Sequence, residues 1–131
     1  MSLKRKGIQA EREIIHMLWE RGWAALRVAG SGSMQFPSPD ILAGNRLRVL
    51  AIECKVSRND KKYFLKDEIK QLNNFSSYFG AESWVALKYY REEWRFINTE
   101  DLRETKRGYC ISKDVAKIKG LLIDELLQLS K

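Results

Sequence analysis

Pro39-Asp40-Ile41-Leu42-Ala43-Gly44-Asn45-Arg46-Leu47-Arg48-Val49-Leu50-Ala51-Ile52-Glu53-Cys54-Lys55-Val56 carries more structural information than any other segment of the chain. Two apolar, β-branched-rich runs flank Gly44–Leu47, so the segment is expected to fold as a hairpin of strands Asp40–Ala43 and Arg48–Val56. Side chains alternate faces along a strand, which puts Val49, Ala51, Glu53 and Lys55 on one side and Leu50, Ile52, Cys54 and Val56 on the other. A turn centred on Asn45-Arg46 pairs Ala43 with Arg48 and sets Asp40 opposite Ala51. Asp40 and Glu53 are then diagonal neighbours on one face, with Cβ atoms roughly 7–8 Å apart. A slip of one residue would send Asp40 to the opposite face, so any site built on this pair depends on the register.

Two carboxylates at that separation can both reach one Mg²⁺, a hard cation that takes oxygen ligands and keeps several waters. Lys55, one strand repeat beyond Glu53, points the same way and balances their charge. This combination suits phosphodiester hydrolysis: a cation on a phosphate oxygen, an activated water, and an ammonium to orient the water or stabilise developing charge. Glu-x-Lys spacing alone means little, since Glu68–Lys70 and Glu104–Lys106 repeat it. The competing reading is a salt bridge among charges at a strand end.

Outward from the hairpin, Gln9–Arg21 has helical periodicity and Gly22 to stop it. Trp23–Val28 is expected to be a strand and Ala29–Pro39 a loop rich in Gly, Ser and Pro. After a polar connection, Tyr63–Leu65 is a short strand and Asp67–Phe79 a helix ending at Gly80. Ser83–Tyr89 and Trp94–Ile97 form a strand pair turning at Arg91-Glu92-Glu93. Tyr109–Ile111 is expected to be a strand and Leu122–Leu129 a closing helix. The order predicts an α/β domain with a mixed central sheet flanked by helices.

At 131 residues the chain is expected to be a single domain. Its longest apolar runs are too short to span a bilayer, and the basic Met1–Lys6 segment lacks the apolar stretch of a secretory signal. Cys54 and Cys110 show no metal-ligand spacing and read as reduced thiols. Lys plus Arg number 24 against 17 acids, a net charge of +7, which favours a polyanionic partner, nucleic acid above all. Lys4, Arg5 and Lys6, placed ahead of the first helix with no acid among them, suit phosphate contacts. His16 is expected on the surface or in packing, Cys54 in the core, and Trp19, Trp23, Trp84 and Trp94 in the core.

Pro39-Asp40 with Glu53-Cys54-Lys55 resembles the PD-(D/E)xK nuclease signature. Arg5–Glu13, Arg27–Ser31, Pro39–Asn45, Ile52–Val56, Phe75 with Phe79, and Trp94–Ile97 together resemble the archaeal Holliday junction resolvases over nearly the whole chain, most weakly after Arg103. The resemblance implies a restriction-endonuclease-like fold and Mg²⁺-dependent cutting of four-way DNA junctions (Mn²⁺ substituting) by a symmetric homodimer, in the cytoplasm at the nucleoid. It implies Glu11 as a further active-site and metal-binding acid beside Asp40 and Glu53, and Lys55 as catalytic. It also implies Arg12 and Arg27 as DNA contacts, and Ser31 in a loop beside the scissile strand. Phe75 and Phe79, with Tyr78 between them, are either core residues or a dimer seam. Two other functions stay open: a sequence-specific nuclease, separated by testing junctions of unrelated sequence, and a DNA-binding module without activity, opposed by the presence of all four site residues.

Overall fold

A computed structural model describes residues 3–28 and 36–129, with the backbone alone for residues 3–6. Helix α1 (Leu3–Glu20) leads into β1 (Ala24–Arg27), β2 (Ile41–Gly44) and β3 (Val49–Ser57). Strand β4 (Lys61–Leu65) and helix α2 (Lys66–Phe79) follow, then β5 (Glu82–Tyr89) and β6 (Arg95–Asn98). The chain continues through β7 (Arg103–Glu104), β8 (Gly108–Ser112), α3 (Lys113–Lys119) and α4 (Ile123–Gln128).

The main sheet has the order β1-β2-β3-β5-β6 and is mixed, with β3 and β5 parallel and the other pairs antiparallel. A parallel neighbour requires a crossover, and the connection through α2 provides it. Strand β3 is covered on both sides. Leu50 and Ile52 pack with Ile14 and Leu18 of α1 in a first core, whereas Ala51 packs with Ile69 and Leu72 of α2 in a second. This two-sided burial explains why the first half of β3 is apolar at every position. Both predicted glycine stops hold: Gly22 and Gly80 have φ of 81° and 83°, and Gly80 donates its N–H to the Ser76 carbonyl at 2.9 Å.

Three expectations change. The hairpin pairs Ala43 with Leu50 rather than Arg48, and Gly44 with Val49. The Asn45 carboxamide accepts the N–H groups of both Leu47 and Arg48, at 2.9 and 2.7 Å, which draws Arg48 into the turn. Because the shift is by two positions, every side chain keeps its face. Helix α1 begins at Leu3, so Lys4–Lys6 lie within its backbone and not ahead of it. A second sheet, β4-β8-β7, was not foreseen. Trp23, Trp84 and Trp94 are buried as expected, but Trp19 is 58% exposed, its indole N–H donating to the Ala25 carbonyl at 2.9 Å. His16 is on the surface beside Glu20.

Candidate active site

Strand β2 stops pairing at Ile41↔Ile52, and β3 runs on past it alongside β5 alone. The main sheet therefore splits at Glu53. One step beyond the last pair, Asp40 falls directly opposite Glu53, nearer than the diagonal placement expected from sequence. Asp40 is held from two sides: its carbonyl accepts the Val28 N–H at 2.8 Å, and its Oδ2 accepts the Cys54 N–H at 2.9 Å.

Burial pushes the Glu53 carboxyl up to about 9, helped by the charge of Asp40 and a hydrogen bond to it, with Glu68 adding and Lys55 opposing. Without a cation, the two acids therefore share a proton at neutral pH. Glu11 on α1 is also raised, first by burial and then by Asp40, against the lowering field of Arg27. Arg27, opposite Ile41 at the end of β1, thus belongs to the same neighbourhood. Arg12 is exposed beside Glu11 on α1.

The Lys55 ammonium lies 2.8 Å from Oε2 of Glu68 in the first turn of α2. Burial works against its charge, but the bond to Glu68 and the fields of Glu68, Glu53 and Asp40 outweigh that and raise its pKa. Glu68 is lowered despite burial, through Lys55 and the Leu65 N–H. The sequence carried one signal for Glu68: it stands three residues after Leu65, where a glutamate caps a helix start. Cys54 turns to the α1 side against the first core, and burial, then Asp40, holds its thiol well above the usual range. It is no thiolate nucleophile or ligand.

Only oxygen donors converge here, which matches a hard cation such as Mg²⁺ and not a thiolate- or imidazole-seeking metal. A shared proton between adjacent carboxylates marks the place where a cation would replace it. Among the described residues, no group of three or more His, Cys, Asp or Glu side chains is gathered to hold a metal. Glu11 faces the same pair from α1, close enough for the charge of Asp40 to raise its carboxyl. Two carboxylates suffice for Mg²⁺ when water and phosphate oxygens fill the other positions.

The family model for archaeal Holliday junction resolvases matches residues 2–131. The chain belongs to this family. It is 44% identical over 124 residues to the crossover junction endodeoxyribonuclease Hjc of Archaeoglobus fulgidus, covering 95% of this chain and 90% of that one. With the Methanocaldococcus jannaschii Hjc it shares 37% identity over 120 residues, 92% of this chain and 84% of the other. The fold is similar to the solved structure of A. fulgidus Hjc, a Holliday junction resolvase, with a TM-score of 0.86 and 43% identity over 92% of this chain and 98% of that one.

Of the other residues singled out by the resolvase resemblance, Ser31 and the side chains of Lys4, Arg5 and Lys6 lie outside the described residues. Phe75 and Phe79 stack with ring centroids 5.1 Å apart. Phe75 is partly buried against the second core, Phe79 is 53% exposed and Tyr78 is 95% exposed. The core explanation therefore covers Phe75 and leaves the other two aromatics facing solvent. Among the described residues no helix is long and apolar enough to cross a membrane.

Proposed function

We propose that the protein is a magnesium-dependent crossover junction endodeoxyribonuclease, one nuclease domain per chain, which works as a homodimer on four-way junctions at the nucleoid. The observation that carries this reading is the Asp40–Glu53 carboxylate pair at the split end of the sheet, with Lys55 one strand repeat further on. Asp40 and Glu53, with Glu11 from α1, would hold Mg²⁺, or Mn²⁺ in its place. When bound, the cation would neutralise a phosphate oxygen and acidify a water for in-line attack. Lys55 orients that water or stabilises charge on the phosphate as the P–O bond to the leaving oxygen breaks. Arg12 and Arg27, with Lys4, Arg5 and Lys6, take the flanking phosphates, and the role assigned to Ser31 is contact with the scissile strand.

A four-way junction presents equivalent strands, and each chain holds one Asp40–Glu53–Lys55 cluster. Two nicks therefore call for two copies related by a two-fold axis. The exposed Tyr78 and Phe79, the latter stacked on Phe75, put an aromatic patch on α2 that a second copy would cover. The test uses mixed dimers of wild-type and Asp40→Asn subunits on a supercoiled plasmid with an extruded cruciform. Wild-type dimers should give linear plasmid by paired cutting, whereas mixed dimers should give nicked circles. A monomer in sedimentation that still yields linear product would overturn the dimeric reading.

A further inference from the structure

The lysine that the proposed chemistry needs is anchored by a group outside the recognised signature. Glu68 sets one carboxylate oxygen 2.8 Å from the Lys55 ammonium and takes the Leu65 N–H on the other at 3.2 Å. It is therefore fixed to the start of α2, and both charged side chains are only about a quarter exposed, at 29% and 27%. Helix α2 itself is pinned by Ile69 and Leu72, buried against β3 and β5 partners in the second core. The anchor thus rests on the same packed residues as the sheet it serves.

We propose that Glu68 is a positioning residue for Lys55, holding its ammonium at the rim of the Asp40–Glu53 pair without letting it settle onto those carboxylates. The inference rests on the reading of Lys55 as catalytic. A lysine stem has four flexible carbons, and its ammonium is a point charge with no preferred fork geometry. Released, it has Asp40 and Glu53 as its nearest anions, the same oxygens a cation needs. Held by Glu68, it stays close enough to act on a bound phosphate and leaves those oxygens open. Positioning of this kind matters because a displacement of about 1 Å at a reacting centre can cost roughly a hundredfold in rate.

The experiment measures single-turnover cleavage of a synthetic four-way junction by the full-length protein at saturating Mg²⁺, with junction affinity read separately by gel shift in EDTA. Glu68→Ala should cut about 10–100-fold more slowly with junction affinity within about twofold of wild type. Glu68→Gln keeps an acceptor and the helix cap and should stay within about threefold of wild type. Glu68→Asp keeps the charge and the fold but withdraws the carboxylate, and should resemble Glu68→Ala; it carries the test if Glu68→Ala does not fold. Asp67→Ala, which removes a charge from the same helical turn, should leave the rate unchanged. A Glu68→Asp rate within twofold of wild type, or a Glu68→Ala rate within twofold of wild type, would overturn the proposal. Lys55→Ala is measured in parallel. If it still cuts, the reading of the site fails; if it is inactive while the Glu68 variants are normal, only the positioning role fails.

Discussion

Replacing Glu53 by Gln should make the metal-free protein more stable at neutral and alkaline pH, even as it removes a proposed ligand. In the folded chain the Glu53 carboxyl titrates near 9, against 4.5 for the ordinary group, because burial and the Asp40 charge disfavour its ionised form. The folded state therefore holds this proton to higher pH than the unfolded state does. Its contribution is full below pH 4.5 and is lost as pH rises through the folded value near 9. Linkage sets the ceiling at ~3 kcal/mol by pH 7 and ~6 kcal/mol above pH 9, and solvent at the open end of the sheet reduces this by about half. Glu53→Gln mimics the protonated acid and removes this slope. In EDTA the two proteins should have similar stability at pH 5, and the variant should lead by ~2–3 kcal/mol at pH 9. Millimolar Mg²⁺ should then stabilise wild type, by about 1.4 kcal/mol per tenfold excess over its dissociation constant, and leave Glu53→Gln unmoved. Urea denaturation at pH 5, 7 and 9, with EDTA or Mg²⁺, measures both effects. Parallel pH profiles for the two proteins in EDTA would refute the shared-proton account of the site.

Asp40→Asn should abolish cutting while junction binding in EDTA stays equal or tightens, because a negative charge leaves a surface that meets phosphates; retained cleavage in Mg²⁺ would remove Asp40 from the site. Arg12→Ala and Arg27→Ala should each weaken junction binding alike on all sequences and reduce the log–log salt slope by about 0.9; an unchanged slope would leave that arginine a solvated charge. Arg48→Leu should cost ~3–5 kcal/mol in chemical denaturation without changing junction specificity. That guanidinium is 5% exposed, grips both Glu82 oxygens at 2.8 and 2.9 Å and donates to the Leu126 carbonyl at 2.8 Å, so its loss takes away the cation facing Glu82 and loosens α4.

The acid pair was legible because face is fixed by parity. The observed register differs from the expected one by two positions, which moves Asp40 from opposite Ala51 to opposite Glu53 and keeps it on the same side of the sheet. The exact partner was not legible. It depends on Asn45 folding its side chain over Arg48, and on Arg48 being drawn to Glu82, which is 34 residues away. Strand β4 is legible in the sequence only from Tyr63 to Leu65: Lys61 and Lys62 read as polar linker, and pairing with Ser112 and Ile111 extends the strand through them. In the sequence Glu68 is one more Glu-x-Lys, because the contact that distinguishes it forms when α2 crosses back over the sheet. Trp19 was misplaced by composition, since an indole whose N–H is satisfied by Ala25 can lie at the surface.

The hydrogen bond from the Cys54 amide to Asp40 has a consequence for spectroscopy. This N–H is closed by a carboxylate rather than by a neighbouring strand, at 2.9 Å. Its resonance and its exchange with solvent therefore follow the charge and orientation of Asp40. Any ion or phosphate that pulls on that carboxylate tugs a single backbone amide in the central strand of the main sheet. The molecule thus carries its own isotope-addressable gauge of site occupancy, readable with an inactive junction and without a single bond being cut.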